Sequence, residues 1–92
     1  VDLRSLNPLD RETMIESVVK TGRAVVVHEA PRTAGFGAEI VAQINEHALL
    51  QLEAPVLRVA GFDTVFPLAK SEHHYLPSRK RIVDAVKSVL SF

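Results

Sequence analysis

The stretch VVVHEAPRTAGFGAEI, Val25 to Ile40, decides how this chain is read. With Ala24 it opens on an apolar run that is continuous rather than alternating, as in a strand covered on both faces. Two ionisable residues follow, His28 and Glu29, then a turn, then Gly35-Phe36-Gly37 leading into a helical pattern. A strand, a glycine pair and a helix start in that order can cradle a phosphate or can simply pack tightly, and spacing separates the two. A dinucleotide fingerprint needs a third small residue three positions after the second glycine, where this chain has Ile40. Its glycines should also follow the strand directly, whereas Glu29 to Ala34 intervene, and the Gly-Lys-Ser/Thr of a P-loop is absent. The glycines are therefore read as permitting close backbone approach at the start of a helix.

Outward from that stretch, apolar runs of strand character occur at Val1 to Leu6, Arg23 to His28 and Pro55 to Ala60. The first helix is predicted to start at Asp10, an N-cap with Glu12 in the positive first turn, and to stop at Gly22 as C′ residue. Met14, Ile15, Val18 and Val19 form its apolar stripe. The second is predicted over Gly37 to Leu52, with Ile40, Val41, Ile44, Ala48 and Leu52 on one face and Glu39, Gln43 and Glu46 towards water. The third follows Pro77 with Ser78 as N-cap and carries a wide buried stripe of Ile82, Val83, Val86, Val89 and Leu90. Strand, helix, strand, helix, strand, loop, helix is the order of an α/β domain with parallel strands and right-handed crossovers. Residues 61–76 form the one long irregular segment, a length at which a loop is commonly functional or packed on a neighbour.

Composition narrows the classes of function. Ninety-two residues make at most one small domain, residues 1–92, near the marginal end of the size range. Eleven basic residues balance eleven acidic ones, which leaves no electrostatic footprint for nucleic acid or an anionic membrane. With no cysteine there is no disulfide framework, which mildly favours a cytosolic home. No apolar run approaches the roughly 18 to 20 residues of a membrane helix. Three strands make a thin sheet, and VDLRSL reads as the end of a strand already under way, so the chain is expected to be part of something longer.

Self-contained chemistry is hard to assemble from what remains. His28 and Glu29 sit at the carboxyl end of a predicted parallel strand, the edge where ligands and partners gather in open α/β sheets. They read either as the wall of an active site or interface, or as a solvated strand end with a satisfied histidine. His73-His74 with Glu72 lacks a second ligand cluster at metal-binding spacing and reads as a pair of surface loop histidines. Ser, His and Asp occur without a nucleophile-elbow pattern. Arg79-Lys80-Arg81 is a basic cluster at a helix start, where the dipole disfavours cations; it reads as a solvated face or as a contact for acidic groups on a partner.

Several stretches taken in order resemble one family. VDLRSLNPLD is similar to a segment of the C-terminal domain of transketolase-like thiamine diphosphate enzymes, and VVVHEAPRTAGFGAEI to the strand, loop and helix that follow there. RVAGFDTVFPLAKSEHHYLPSRKRIVDAVKSVLSF resembles the closing segment of β subunits in 2-oxoacid dehydrogenase decarboxylating components. The resemblance implies a three-layer α/β/α fold with a mostly parallel sheet, here lacking its first strand-helix unit. It implies that thiamine diphosphate and Mg²⁺ belong to the whole enzyme, held by the α subunit and the N-terminal domain of the β subunit, and are not bound by this chain alone. It implies as partners an α subunit and a second β subunit in an α₂β₂ assembly, together with the subunit-binding domain of an acyltransferase core. The setting would be cytoplasmic in a prokaryote or the mitochondrial matrix in a eukaryote.

Residue by residue, the resemblance offers Arg4, His28, Glu29, Gly35 and Gly37 as interface or channel candidates, with no catalytic, cofactor-binding or metal residue among them. Arg4 would be a structural ion-pair partner first and a channel-lining residue second. Glu53 and the carboxylate of Phe92 are the docking candidates for the acyltransferase. Other transketolase-like enzymes, such as acetoin dehydrogenase or a ferredoxin-linked 2-oxoacid oxidoreductase, fit less closely. A non-catalytic interaction module is the reading from a different class.

Overall fold

Asp10 starts the first helix as its sequence predicts. Its Oδ1 accepts the backbone N–H of Thr13 at 3.2 Å and its Oδ2 the Thr13 hydroxyl at 2.9 Å, which satisfies an otherwise orphaned donor of helix α1, Arg11–Thr21. Gly22 closes the helix in the left-handed conformation, φ 73°, with its N–H on the carbonyl of Val18 at 2.7 Å. Only glycine holds that angle cheaply. The chain then enters strand β1, Val25–Pro31, crosses to helix α2, Phe36–Ala48, and passes through a single 3₁₀ turn, Leu49–Gln51. Strand β2, Leu57–Gly61, and helix α3, Arg79–Ser91, complete the order. The computed structural model describes residues 1–62 and 77–92.

The two strands are parallel, with Val25 opposite Leu57, Val26 opposite Arg58 and Val27 opposite Val59. Beyond Val27 the register shifts, and pairing resumes at Pro31 opposite Gly61. Four steps along β1 match two along β2, so His28 to Ala30 carry a bulge of the kind that re-aims side chains. This is why the second strand outlasts its predicted end at His28. The apolar run stops there, but the strand recovers its pairing after the bulge.

On one face of the sheet, α1 and α2 bury Met14, Val18, Ile40, Ile44 and Ala48 as a continuous core, with Val26 and Val56 packed against it. Ile44 is 1% exposed, and burial of a side chain of that size contributes roughly 1.5–3 kcal/mol. On the other face α3 contacts both β2 and β1. Its expected wide stripe narrows to one buried residue, Val89, while Val83, Val86 and Leu90 are exposed. A two-stranded sheet is too narrow to cover a helix of thirteen residues. Val19 of α1 is likewise exposed, and Gln43, predicted to face water, is half-buried with its Oε1 unpartnered.

The predicted first strand, Val1 to Leu6, does not form among the described residues. That segment makes an isolated bridge between Leu6 and Leu9, and no described strand pairs with it. A cleft of about 780 Å³ runs between Val1, Leu3 and Leu6 on one side and the unpaired edge of β1 on the other. No helix among the described residues is long and apolar enough to cross a membrane.

Candidate functional site

Parallel strands put the carboxyl ends of β1 and β2 side by side, with α2 starting immediately after β1. The bulge turns the imidazole of His28 onto that helix start. A Cβ on Gly37 would overlap the ring at Nε2 and Cδ2, and one on Gly35 would overlap the carbonyl oxygen of Pro31 and lie 2.9 Å from His28 Cε1. The two glycines are thus the floor of a socket that the histidine fills. Between them and the strand, Ala34 holds φ 58°, a left-handed angle uncommon for a residue with a Cβ. Gly35 then caps α2 with its carbonyl, which accepts the N–H of Ala38 at 3.0 Å.

The electrostatics of the socket are one-sided. Burial, and after it the Arg58 guanidinium, hold the His28 pKa below its ordinary value of 6.5. Both ring nitrogens are buried and neither has a hydrogen-bond partner among the described residues. Arg58 Nη1 donates to the carbonyl of Arg32 at 2.8 Å, and Arg32 Nη1 to that of Arg58 at 3.4 Å, so the two cations clasp backbone rather than carboxylates. The expectation of a strand end with a satisfied histidine is corrected here. The strand continues to Pro31, and His28 is packed without partners, while Glu29 is exposed. The close-packing reading of the glycines stands. His28 and the Pro31 carbonyl fill the space that side chains on the two glycines would take.

The amino edge of the sheet holds a different cluster. Arg23, which leads into β1, donates from Nε to the carbonyl of Val89 at 2.8 Å and from Nη1 to Glu53. The N–H of Glu53 in turn reaches the carbonyl of Gly22 at 2.7 Å. One side chain therefore ties the ends of α1 and α3 to the loop before β2. Glu53 and Phe92 line one shallow pocket of about 470 Å³ together with Leu49, Leu52 and Val56. Leu50, in the 3₁₀ turn, is 93% exposed.

The fold gathers some candidates and separates others. His28, Gly35 and Gly37 meet in the socket, and Glu53 and Phe92 share a pocket. Arg4 is exposed and makes no ion pair among the described residues. Of the basic cluster, Arg81 is half-buried rather than solvated, donating to the Ala60 carbonyl at 2.7 Å and lying 4.9 Å over the ring of Phe62. Lys80 pairs with Asp84 at 3.0 Å. Sequence reasoning passed over Arg58 and Arg23. Arg58 left a signal, a charge set inside the apolar run of β2, whereas Arg23 left none. Glu72, His73 and His74 lie outside the described residues, among which no three His, Asp or Glu side chains converge as metal ligands.

This architecture has relatives. The family model described as "Transketolase, C-terminal domain" matches residues 1–82. The chain belongs to that family. As a transketolase C-terminal domain it is similar to the protein named "Pyruvate dehydrogenase E1 component subunit beta" of Bacillus subtilis, with 54% identity over 92 residues, all of this chain and 28% of the relative. The proteins of that name from Staphylococcus epidermidis and Staphylococcus aureus are 49% identical over the same span and share. The chain spans 28% of the length of these relatives.

Proposed function

We propose that this transketolase C-terminal domain is part of the β subunit of a thiamine-dependent 2-oxoacid dehydrogenase, of the pyruvate rather than the branched-chain type. The observation that carries the reading is the identity of 49% to 54%, along the whole chain, with β subunits of pyruvate dehydrogenase E1 components. In this reading the complete enzyme decarboxylates pyruvate and passes the acyl group to a lipoyl arm. Thiamine diphosphate and Mg²⁺ would be held by the α subunit and the β subunit's N-terminal domain. The socket before α2, already filled by His28, supports that assignment. The bacterial relatives support a cytoplasmic setting over the mitochondrial matrix.

The chain itself would serve assembly and docking. The carboxyl edge with His28, Glu29, Gly35 and Gly37, and Arg4 on the opening segment, would face the α subunit or a second β subunit in an α₂β₂ enzyme. Glu53 and Phe92 would receive the subunit-binding domain of the acyltransferase core, and their shared pocket supports this pairing. The unpaired edge of β1, with its cleft of about 780 Å³, would take a strand from outside residues 1–92 and so restore the first strand-helix unit.

The deciding experiment uses the purified assembly with a lipoyl-domain acceptor. An α subunit should co-purify, and pyruvate should turn over faster than 3-methyl-2-oxobutanoate. The opposite preference would move the enzyme to the branched-chain type, and turnover of neither would sink the activity. Glu53→Ala and removal of Phe92 should each weaken binding of the acyltransferase's subunit-binding domain. Unchanged affinity would reject those two residues.

A further inference from the structure

The least expected feature of the molecule is a half-buried ring whose two nitrogens are covered and have nothing to bond among the described residues. Buried donors and acceptors are nearly always paired, and leaving one unpaired costs about 1–3 kcal/mol. His28 leaves both ring nitrogens in that state, in a socket made by two glycines and reached through a bulge. A neutral imidazole tolerates this as a flat, partly apolar wedge. An imidazolium would not, because a buried charge without a partner costs far more.

The surroundings sharpen that contrast. Arg58 on β2 stands beside the ring, Arg32 in the turn is clasped to it, and the first turn of α2 presents the positive end of its dipole. Among the described residues no carboxylate pairs with them. Glu39 of α2 is engaged by Gln43 at 2.8 Å, and Glu29 is exposed. On this face of the sheet α1 buries Met14 and Val18, and on the opposite face α3 buries Val89. His28 as a whole is half-buried, so a protonated ring has solvent close at hand. The turn is also set to move once released, because the left-handed angle at Ala34 stores roughly 1–2 kcal/mol.

We propose that His28 is a pH-sensitive latch: neutral, it pins β1 to the start of α2; protonated, it leaves Gly35 and Gly37 and loosens the hold of the turn at 32–34 on the helix start. The sign follows from linkage. The closed state disfavours the proton, so the latch is fully effective above the ordinary imidazole value of 6.5 and weakens as pH falls below it towards the lowered value. Acid, not base, opens the turn.

The test belongs on the intact protein in its native assembly, so that whatever covers the β1 edge stays in place. Exchange at the imidazole C2 position, followed by mass spectrometry, reads the titration of His28. Amide exchange over residues 32–38, corrected for intrinsic rates, reads the turn between about pH 7.5 and about pH 5. His28 should titrate below 6.5 and the amides should exchange severalfold faster in acid. In His28→Gln, which cannot titrate, that acid step should vanish. Titration at or above 6.5, or an equal acid step in the glutamine variant, would overturn the latch. Gly37→Ala, which evicts the ring at any pH, should show the fast exchange already at about pH 7.5. Undiminished protection in that variant would count against the socket itself.

Discussion

Two corners of this small domain use the same device to opposite ends. At the amino edge, Gly22 lies against the side chain of Glu53; at the carboxyl edge, Gly37 lies against the ring of His28. In the first corner the polar group is 60% exposed and bonded to Arg23, and the glycine is needed for its left-handed angle. In the second the polar group is half-buried, its nitrogens unbonded among the described residues, and the glycine is needed for the space its missing Cβ leaves. Hydrogen bonds hold the polar side chain of one corner, whereas the ring in the other is held by its fit against the glycines. A corner held by bonds loses little when one atom changes, whereas a corner held by fit has no graded response.

The largest effect should therefore come from Gly37→Ala. The added methyl meets a ring that is walled in by strand and helix, and overpacking of that kind costs about 3 kcal/mol. Hydrogen exchange of the β1 and α2 amides should register the loss locally. Adding His28→Ala to the same chain should return most of it, a non-additivity expected only of groups in direct contact. Strict additivity of the pair would mean that the ring is not what the methyl strikes.

Gly22→Ala should cost less, about 1–2 kcal/mol, and for another reason. The methyl would lie 3.0 Å from Glu53 Cγ, but that carboxylate is half in solvent and free to swing aside, so the penalty resides in the backbone angle. Adding Glu53→Ala should consequently return little. If it rescued Gly22→Ala as fully as His28→Ala rescues Gly37→Ala, the two corners would be alike after all and the contrast would fall.

The Gly22 cap of the amino corner was legible in the sequence, whereas its Arg23–Glu53 pair and the carboxyl corner were not. Asp10, Gly22 and Ser78 declare their caps by residue type and position, because capping is a local interaction between neighbours in the chain. The helices α1, α2 and α3 and the strands β1 and β2 followed from periodicity for the same reason. The bulge at His28 to Ala30 is set by how β1 fits β2, and the exposure of Val83, Val86 and Leu90 by how wide the sheet is. Neither is written in local spacing. The predicted strand at Val1 to Leu6 fails on the same ground, since its composition is strand-like but a strand needs a partner. The glycine pair shows the limit most clearly. Spacing argued for close packing and against a phosphate, yet only the fold identified His28 as the group packed there.

The smallest effect should be that of neutralising the ion pair at the amino corner. Glu53→Gln keeps an oxygen to accept from Arg23 and removes only the charge. Arg23 and Glu53 are 30% and 60% exposed, and pairs in that range contribute about 0.5 kcal/mol. The loss should shrink further near 1 M salt, where the screening length falls to about 3 Å. The His28 corner, holding no ion pair among the described residues, should lose nothing in the same salt. A salt-independent cost above about 2 kcal/mol would instead mark the Arg23 pair as desolvated, and both corners as closed to water. The weak outcome has a further use. If Glu53 contributes so little to stability, any large loss of partner affinity on its replacement would support the proposed docking role and could not be ascribed to an unfolded domain.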